Sequence, residues 1–194
     1  MTFMKKTLTI CALSLAAALS TYAQSTVVFA NDGTTLIKLQ SGAGAPVGGT
    51  YQIELLYAPQ GTPDVAFDDR APTAIRIGTP VGISPIAGRF SGGARTSPST
   101  TAGGGVARWQ VRAWEAAYGS SYSDVYLKNA GGNVGKSAIM DIKGGDPTVT
   151  PAVTATPIVG NGFTGFTVTP VPEPSVIGLG LLGAGTLLLL RRRK

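Results

Sequence analysis

Histidine is absent from the 194 residues, and cysteine occurs once, at Cys11. Without histidine, Ser-His-Asp catalysis, imidazole general bases and imidazole metal sites are excluded. Cys11 lies in an apolar N-terminal run, so cleavage after Ala23 would leave a mature chain without thiols. We therefore expect no disulfide, no cysteine-bound metal and no cofactor, and a core that is held together by packing alone.

Charged residues are also scarce, at 13% of the chain compared with about 25% in typical soluble domains. The net charge is +6, but six of the sixteen basic residues lie in the two terminal segments. Between Gln24 and Pro170, ten basic and nine acidic residues leave a net charge of +1. This nearly neutral region has no basic patch with interleaved aromatic residues, so we expect no nucleic-acid partner.

Residues 1–23 have the three parts of a secretory signal peptide. Lys5 and Lys6 precede an apolar run, Leu8–Leu19, which is followed by the small residue Ala23. The run is shorter than the roughly 20 residues that cross a bilayer as a helix. We expect signal peptidase to cleave between Ala23 and Gln24 and the rest of the chain to be exported.

The C-terminal segment, residues 171–194, also has three parts in order. A Pro-Glu-Pro motif precedes an apolar stretch from Ser175 to Leu190, and four basic residues end the chain. As a helix, this stretch is roughly 24 Å long, which can span a thinned bilayer. The basic end favours the cytoplasmic side, which places the preceding domain outside. The residues concerned are Pro172, Glu173 and Pro174 in the motif and Arg191, Arg192, Arg193 and Lys194 at the end.

This segment resembles the PEP-CTERM sorting signal, which is also labelled an ice-binding protein C-terminal domain. In that family, an exosortase, which is a polytopic membrane enzyme of Gram-negative bacteria that make exopolysaccharide, processes the signal. The resemblance implies that residues 172–174 are the recognition motif and that an exosortase-like enzyme is a partner. It also implies transient anchoring in the inner membrane, a final place in the envelope or outside the cell, and exopolysaccharide as a further partner. The alternative is a permanent tail anchor behind an incidental proline-rich linker.

Glycine and proline, with 27 and 13 residues, are too frequent for a helical bundle and favour short strands joined by turns. We predict a β-sandwich of short antiparallel strands over residues 24–145. Asn31-Asp32-Gly33 predicts a hairpin between the first two strands. Alternation over 106–114 predicts a central strand with Arg108, Gln110 and Arg112 on its polar face. Residues 146–170 are predicted to be a Pro/Thr-rich linker that could contain one last strand.

One segment, residues 121–129, has no turn residue and precedes Gly131-Gly132, which predicts a short helix. Tyr118, Tyr122 and Tyr126 are spaced by four and would form one stripe on a helix, where they could stack on sugar rings. The alternative, which we favour, is that these tyrosines cover a sheet face with their hydroxyls reaching solvent.

Two weaker patterns concern enzymatic chemistry. Residues 130–137, AGGNVGKS, fit a relaxed P-loop, but the end of the motif looks like a strand. A pair of carboxylates for glycoside hydrolysis could come from Asp64, Asp68, Asp69 and Glu115, although no motif pairs them. We therefore expect a non-catalytic envelope or matrix protein. The alternatives are a carbohydrate-binding module that uses the tyrosines, Trp109 or Trp114, and, less favoured, a small polysaccharide-active enzyme.

Overall fold

The computed structural model describes residues 24–40, 44–83, 85–128 and 131–171. Within these ranges the domain is mainly β with one short α-helix, which confirms the predicted class at that level. The helix, α1, spans Tyr122–Lys128, and 3-10 turns span Asp64–Phe67 and Ala116–Tyr118. The strands are β1 (Thr26–Ala30), β2 (Ile37–Leu39), β3 (Tyr51–Pro59), β4 (Ile75–Arg76), β5 (Val81–Gly82), β6 (Ser91–Thr96), β7 (Val106–Glu115), β8 (Asn133–Lys136), β9 (Met140–Lys143), β10 (Thr156–Pro157) and β11 (Phe166–Pro170).

The strands form two sheets. The larger sheet has the order β2-β11-β8-β7-β3-β4, with β5 also paired to β3 and β9 to β7. Its centre is the antiparallel pair β3–β7, whose register runs from Tyr51 opposite Glu115 to Pro59 opposite Ala107. The smaller sheet has the order β10-β1-β6. The pairs β1–β10 and β11–β2 are parallel, so the prediction of purely antiparallel strands is wrong at these two places.

The main hydrophobic core draws side chains from both sheets. Val27 and Phe29 come from β1, whereas Leu55 and Trp109 come from β3 and β7, and all four are fully buried. Phe29 lies 4.8 Å from Phe90 between ring centroids, a distance typical of aromatic pairs. Burying a large apolar side chain contributes about 1.5–3 kcal/mol, so this shared core is a principal source of stability.

The first turn differs from the predicted hairpin, because β1 and β2 belong to different sheets. Asn31 is buried, and its side-chain amide donates to the carbonyls of Thr35 and Gly88 at 2.8 and 2.9 Å. Its side-chain oxygen accepts a hydrogen bond from the Phe90 backbone at 2.7 Å. The Asn31 side chain thus holds two backbone segments together, and the chain crosses between sheets instead of folding back on β1.

Other segments cover the outer face of β3 and β7, which includes the face of β7 that the sequence predicts to be polar. The segment that contains the 3-10 turn Asp64–Phe67 places Phe67 over Leu56 and Ala58. Helix α1 covers the neighbouring part of the sheet with Tyr122 and Val125. Gln110 and Arg112 are therefore buried beneath these covering segments.

Residues 146–170, predicted to be a linker that could contain one last strand, contain two strands that are part of the fold. Strand β10 pairs with β1, and β11 lies inside the larger sheet between β2 and β8. Ile158, Phe163 and Val168 are buried in the main core. The density of prolines and threonines is typical of loops and therefore favoured a linker. The apolar residues among them are buried, however, and make this region part of the fold.

Candidate functional site

The C-terminal end of the folded domain is held by hydrogen bonds up to Val171, the last described residue. Thr169 and Pro170 pair with Val134 and Asn133 of β8. The backbone N–H of Val171 then donates to the Gly132 carbonyl at 3.1 Å. The predicted sorting residues Pro172, Glu173 and Pro174 and the basic residues Arg191, Arg192, Arg193 and Lys194 lie outside the described residues. The predicted motif therefore follows the folded domain with no intervening residue.

Val171 is anchored by packing as well as by its hydrogen bond. Its side chain is 5% exposed and belongs to a hydrophobic cluster with Trp114, Tyr122, Val125 and Val134. This cluster lies between helix α1 and the larger sheet. Helix α1 thus fixes the point at which the chain leaves the domain.

Helix α1 and the 3-10 turn before it, which lie next to this exit point, expose apolar and aromatic groups. A Cβ atom on Gly132 would lie 2.8 Å from Cγ of Tyr118, so the Tyr118 ring borders the exit. Tyr118 and Leu127 are 38% and 58% exposed, and Tyr126 is partly buried against the cluster. We call Tyr118, Tyr126 and Leu127 the exit surface.

The three predicted glycan contacts do not form one exposed platform. Tyr122 is 2% exposed, and its hydroxyl donates to Asp69 Oδ1 at 3.1 Å. The Tyr126 ring lies 6.1 Å from the Tyr122 ring in a stacked arrangement, while Tyr118 is on the 3-10 turn that precedes α1. Burial raises the pKa of Tyr122, and the nearby Asp69 carboxylate adds to this effect. Tyr122 therefore covers the sheet, as in the interpretation that we favour from the sequence, although its hydroxyl bonds to Asp69 instead of reaching solvent.

Beneath Tyr122 lies a buried polar cluster that the sequence analysis missed. The Arg112 guanidinium is fully buried and lies 4.8 Å from the centroid of the Tyr122 ring. It donates to the carbonyls of Phe67 and Asp68 at 2.6 and 3.1 Å and to Gln110 Oε1 at 2.9 Å. These bonds hold the covering segment against β7.

Two acidic side chains compensate the buried charge. Arg112 Nη2 lies 4.0 Å from Asp69 Oδ1, and Glu54 stands directly opposite Arg112 in the β3–β7 register. Burial raises the pKa of Glu54, while the positive charges of Arg112 and Arg76 oppose that rise. Burial also lowers the pKa of Arg112. The sequence shows a charged residue in each strand, Glu54 in β3 and Arg112 in β7, but it does not show that the two stand opposite each other.

The end of the relaxed P-loop pattern is a strand, as its sequence suggests. Residues 133–136 form strand β8, which is antiparallel to both β7 and β11. Lys136 contacts Asp69 with Nζ–O distances of 2.7 and 2.8 Å, and the Ser137 hydroxyl accepts from the Val111 backbone at 3.0 Å. The lysine and serine therefore stabilise the sheet, and the motif is not a strand–loop–helix that could hold a phosphate.

The four candidate acids make separate structural contacts. Asp64 accepts from Arg108 at 2.6 Å, and Glu115 accepts from the Asn133 side chain at 3.0 Å. Asp68 accepts from the backbones of Arg70 and Ala71, which lowers the pKa of its carboxyl. Asp69 bridges Lys136 and Tyr122, as described above. Each carboxylate thus serves the fold, which gives no support to the glycosidase hypothesis.

At the other end, the domain begins at the predicted signal-peptidase site. Ala23 lies outside the described residues, whereas Gln24 forms a bridge with Ala102. Ser25 is fully buried, and its hydroxyl donates to the Gly105 carbonyl at 3.1 Å. The described fold therefore occupies the stretch between the two predicted signals.

Comparison with known proteins identifies the C-terminal segment. Residues 170–194 match the family model described as the PEP-CTERM protein-sorting motif. No curated protein and no solved structure matches the chain. Within the described ranges no helix has the length and apolar character needed to cross a membrane, and the predicted helix 175–190 falls outside those ranges.

Proposed function

Because residues 170–194 are a PEP-CTERM motif, which marks an exported protein recognised by exosortase, we propose that this chain is a non-catalytic protein of the cell envelope or extracellular matrix. The β-sandwich domain is the part that is exported, and the C-terminal motif is the sorting signal that directs it. The single observation that carries the proposal is the family match, which covers the whole motif, apolar stretch and basic end.

The route starts with signal-peptidase cleavage between Ala23 and Gln24. The C-terminal helix then holds the domain at the inner membrane, with residues 191–194 in the cytoplasm, until exosortase removes it. Two observations support this route: Gln24 pairs with Ala102, and the Val171 side chain is buried. Cleavage before Gln24 and cleavage after Val171 would therefore both leave the described fold whole. The separate structural contacts of Asp64, Asp69 and Glu115 support a non-catalytic role.

The test is the intact mass of the protein recovered from its native host, for the wild type and for a Pro172→Ala/Glu173→Ala/Pro174→Ala variant. We expect the wild type to lack both the signal peptide and the C-terminal helix, and the variant to retain the helix. A matched control, Pro147→Ala/Val149→Ala, changes two exposed residues of the folded domain and should be processed normally. If wild type and motif variant both retain the helix, the chain is a tail-anchored envelope protein instead.

A further inference from the structure

The short distance between the folded domain and the apolar stretch constrains how the uncleaved protein meets the membrane. Only residues 172–174 separate Val171 from Ser175, where the apolar stretch begins. The four Cα–Cα steps from Val171 to Ser175 reach roughly 14 Å when fully extended, while a domain of this size has a radius of gyration of about 15 Å. The connection is thus no longer than the domain's own radius of gyration.

Much of that reach is used within the headgroup layer. Headgroups add roughly 5–7 Å on each side of the hydrocarbon core, so the exit end of the domain is within about 7–9 Å of them even with the connection extended. The folded domain adds no length to this connection, because β11 stays paired with β8 up to Pro170 and the Val171 side chain is buried.

The groups at this end suit a lipid interface. Tyr118 borders the Gly132–Val171 contact, and Leu127 exposes 58% of its surface one residue before α1 ends. Tyrosine is enriched at the level of lipid headgroups, where its ring is apolar and its hydroxyl stays hydrated. The nearest acid on the helix, Asp124, is paired with Lys128 at 2.9 Å, so it does not present an unpaired negative charge to anionic lipids.

We propose that, before processing, the exit surface formed by Tyr118, Tyr126 and Leu127 lies against the lipid headgroup layer and is held there by the short connection to the anchored sorting signal. The inference rests on the membrane anchoring that precedes processing in the proposed function. The connection keeps the exit surface at a high effective concentration relative to the lipid headgroups, so even a small surface stays in contact with them. Cleavage removes the connection and releases the contact.

The test uses the uncleaved chain, residues 24–194, reconstituted in vesicles that contain nitroxide-headgroup lipid. This chain has no cysteine, so Leu127→Cys places a single fluorophore on the exit surface. The matched control is Val153→Cys, which is similarly exposed at 51% and bridges to Asp146, away from α1. We expect the label at 127 to lose most of its fluorescence and the label at 153 to keep most of it.

An insertion of roughly 20 Gly and Ser residues between Val171 and Pro172, with an r.m.s. length of roughly 25 Å, should restore the fluorescence at 127. Flotation with the vesicles shows separately that the chain is anchored. Equal quenching at 127 and 153 in floating protein, or strong quenching that persists with the insertion, would overturn the proposal. Protection of the label at 127 only when exosortase is reconstituted as well would place the enzyme, not lipid, on this surface.

Discussion

Arg112 carries a full charge into the interior of a domain that has few charges. Replacing it with methionine would leave the Phe67 carbonyl without its donor and would remove the positive charge that stands opposite the buried Glu54 carboxylate. We expect Arg112→Met to lower the free energy of unfolding by about 3–5 kcal/mol, measured by urea denaturation at pH 7. The loss should shrink as the pH falls towards 4.5, the ordinary pKa of a glutamate, because Glu54 is then buried in its neutral form.

A matched control is Arg76→Met, since Arg76 also faces Glu54 but is 47% exposed with an N–O distance of 3.8 Å. That change should lower the free energy of unfolding by less than about 1 kcal/mol. The double variant Arg112→Met/Glu54→Gln should recover part of the stability lost by Arg112→Met alone, because it removes the buried carboxylate that has lost the Arg112 charge. Equal effects of the two arginine changes would show that the buried cluster does not stabilise the fold.

The Asp32 carboxyl, in the turn between β1 and β2, should make the stability of the fold depend on pH. Its Oδ1 accepts hydrogen bonds from the backbones and hydroxyls of Thr34 and Thr35, and these bonds lower the pKa of the carboxyl to about 2. The folded pKa is below the unfolded value of 3.8, so the stabilisation is present above about pH 4 and is lost as the pH falls towards 2. Asp32→Ala should lower the melting temperature at pH 7 and have little effect at pH 2.

The sequence could not place Arg112 or Asp32 in these roles for a specific reason. Alternation along β7 correctly separates Trp109 and Val111 from Arg112, but it does not show whether other segments cover the polar face. The Asp-Gly pair correctly marks a turn, yet the turn leads into another sheet because Asn31 bonds residues more than fifty positions away. Local patterns predict elements, whereas these partners depend on the tertiary fold.

The position of strand β11 in the larger sheet predicts where the exported domain ends. It lies between β2 and β8 and buries Val168 completely, so its removal would leave two open strand edges and a gap in the core. We expect a chain of residues 24–171 to fold and a chain of residues 24–160 to remain unfolded, judged by near-UV circular dichroism and limited proteolysis. A cooperative transition at the same temperature in both chains would show that β11 is a dispensable appendage, as a linker would be.

For the whole molecule, the sequence predicts the C-terminal motif and the mainly β character but not the sheet order. The sorting motif is readable because its parts follow one another along the chain, and residues 170–194 match the family model. The order β2-β11-β8-β7-β3-β4 joins strands that are distant in sequence, so composition and alternation do not specify it. The exit surface depends on the same long-range pairing, because the pairing of β11 with β8 and the packing of Val171 against Tyr122 and Val125 bring α1 to the C-terminal end.

Strand β7 links the two faces of the larger sheet and therefore the unfolding of the whole domain. It places Trp109 in the main core, 5.2 Å from Tyr57 between ring centroids, and Trp114 in the cluster under α1, where its N–H donates to Gly119. Both indoles are buried, so each reports on one face. If the two faces unfold together, the fluorescence transitions of Trp109→Phe and Trp114→Phe should each coincide with the transition of the same variant followed by far-UV circular dichroism. An earlier fluorescence change in Trp109→Phe alone, where only Trp114 remains, would mean that the face beside the sorting signal opens independently of the core.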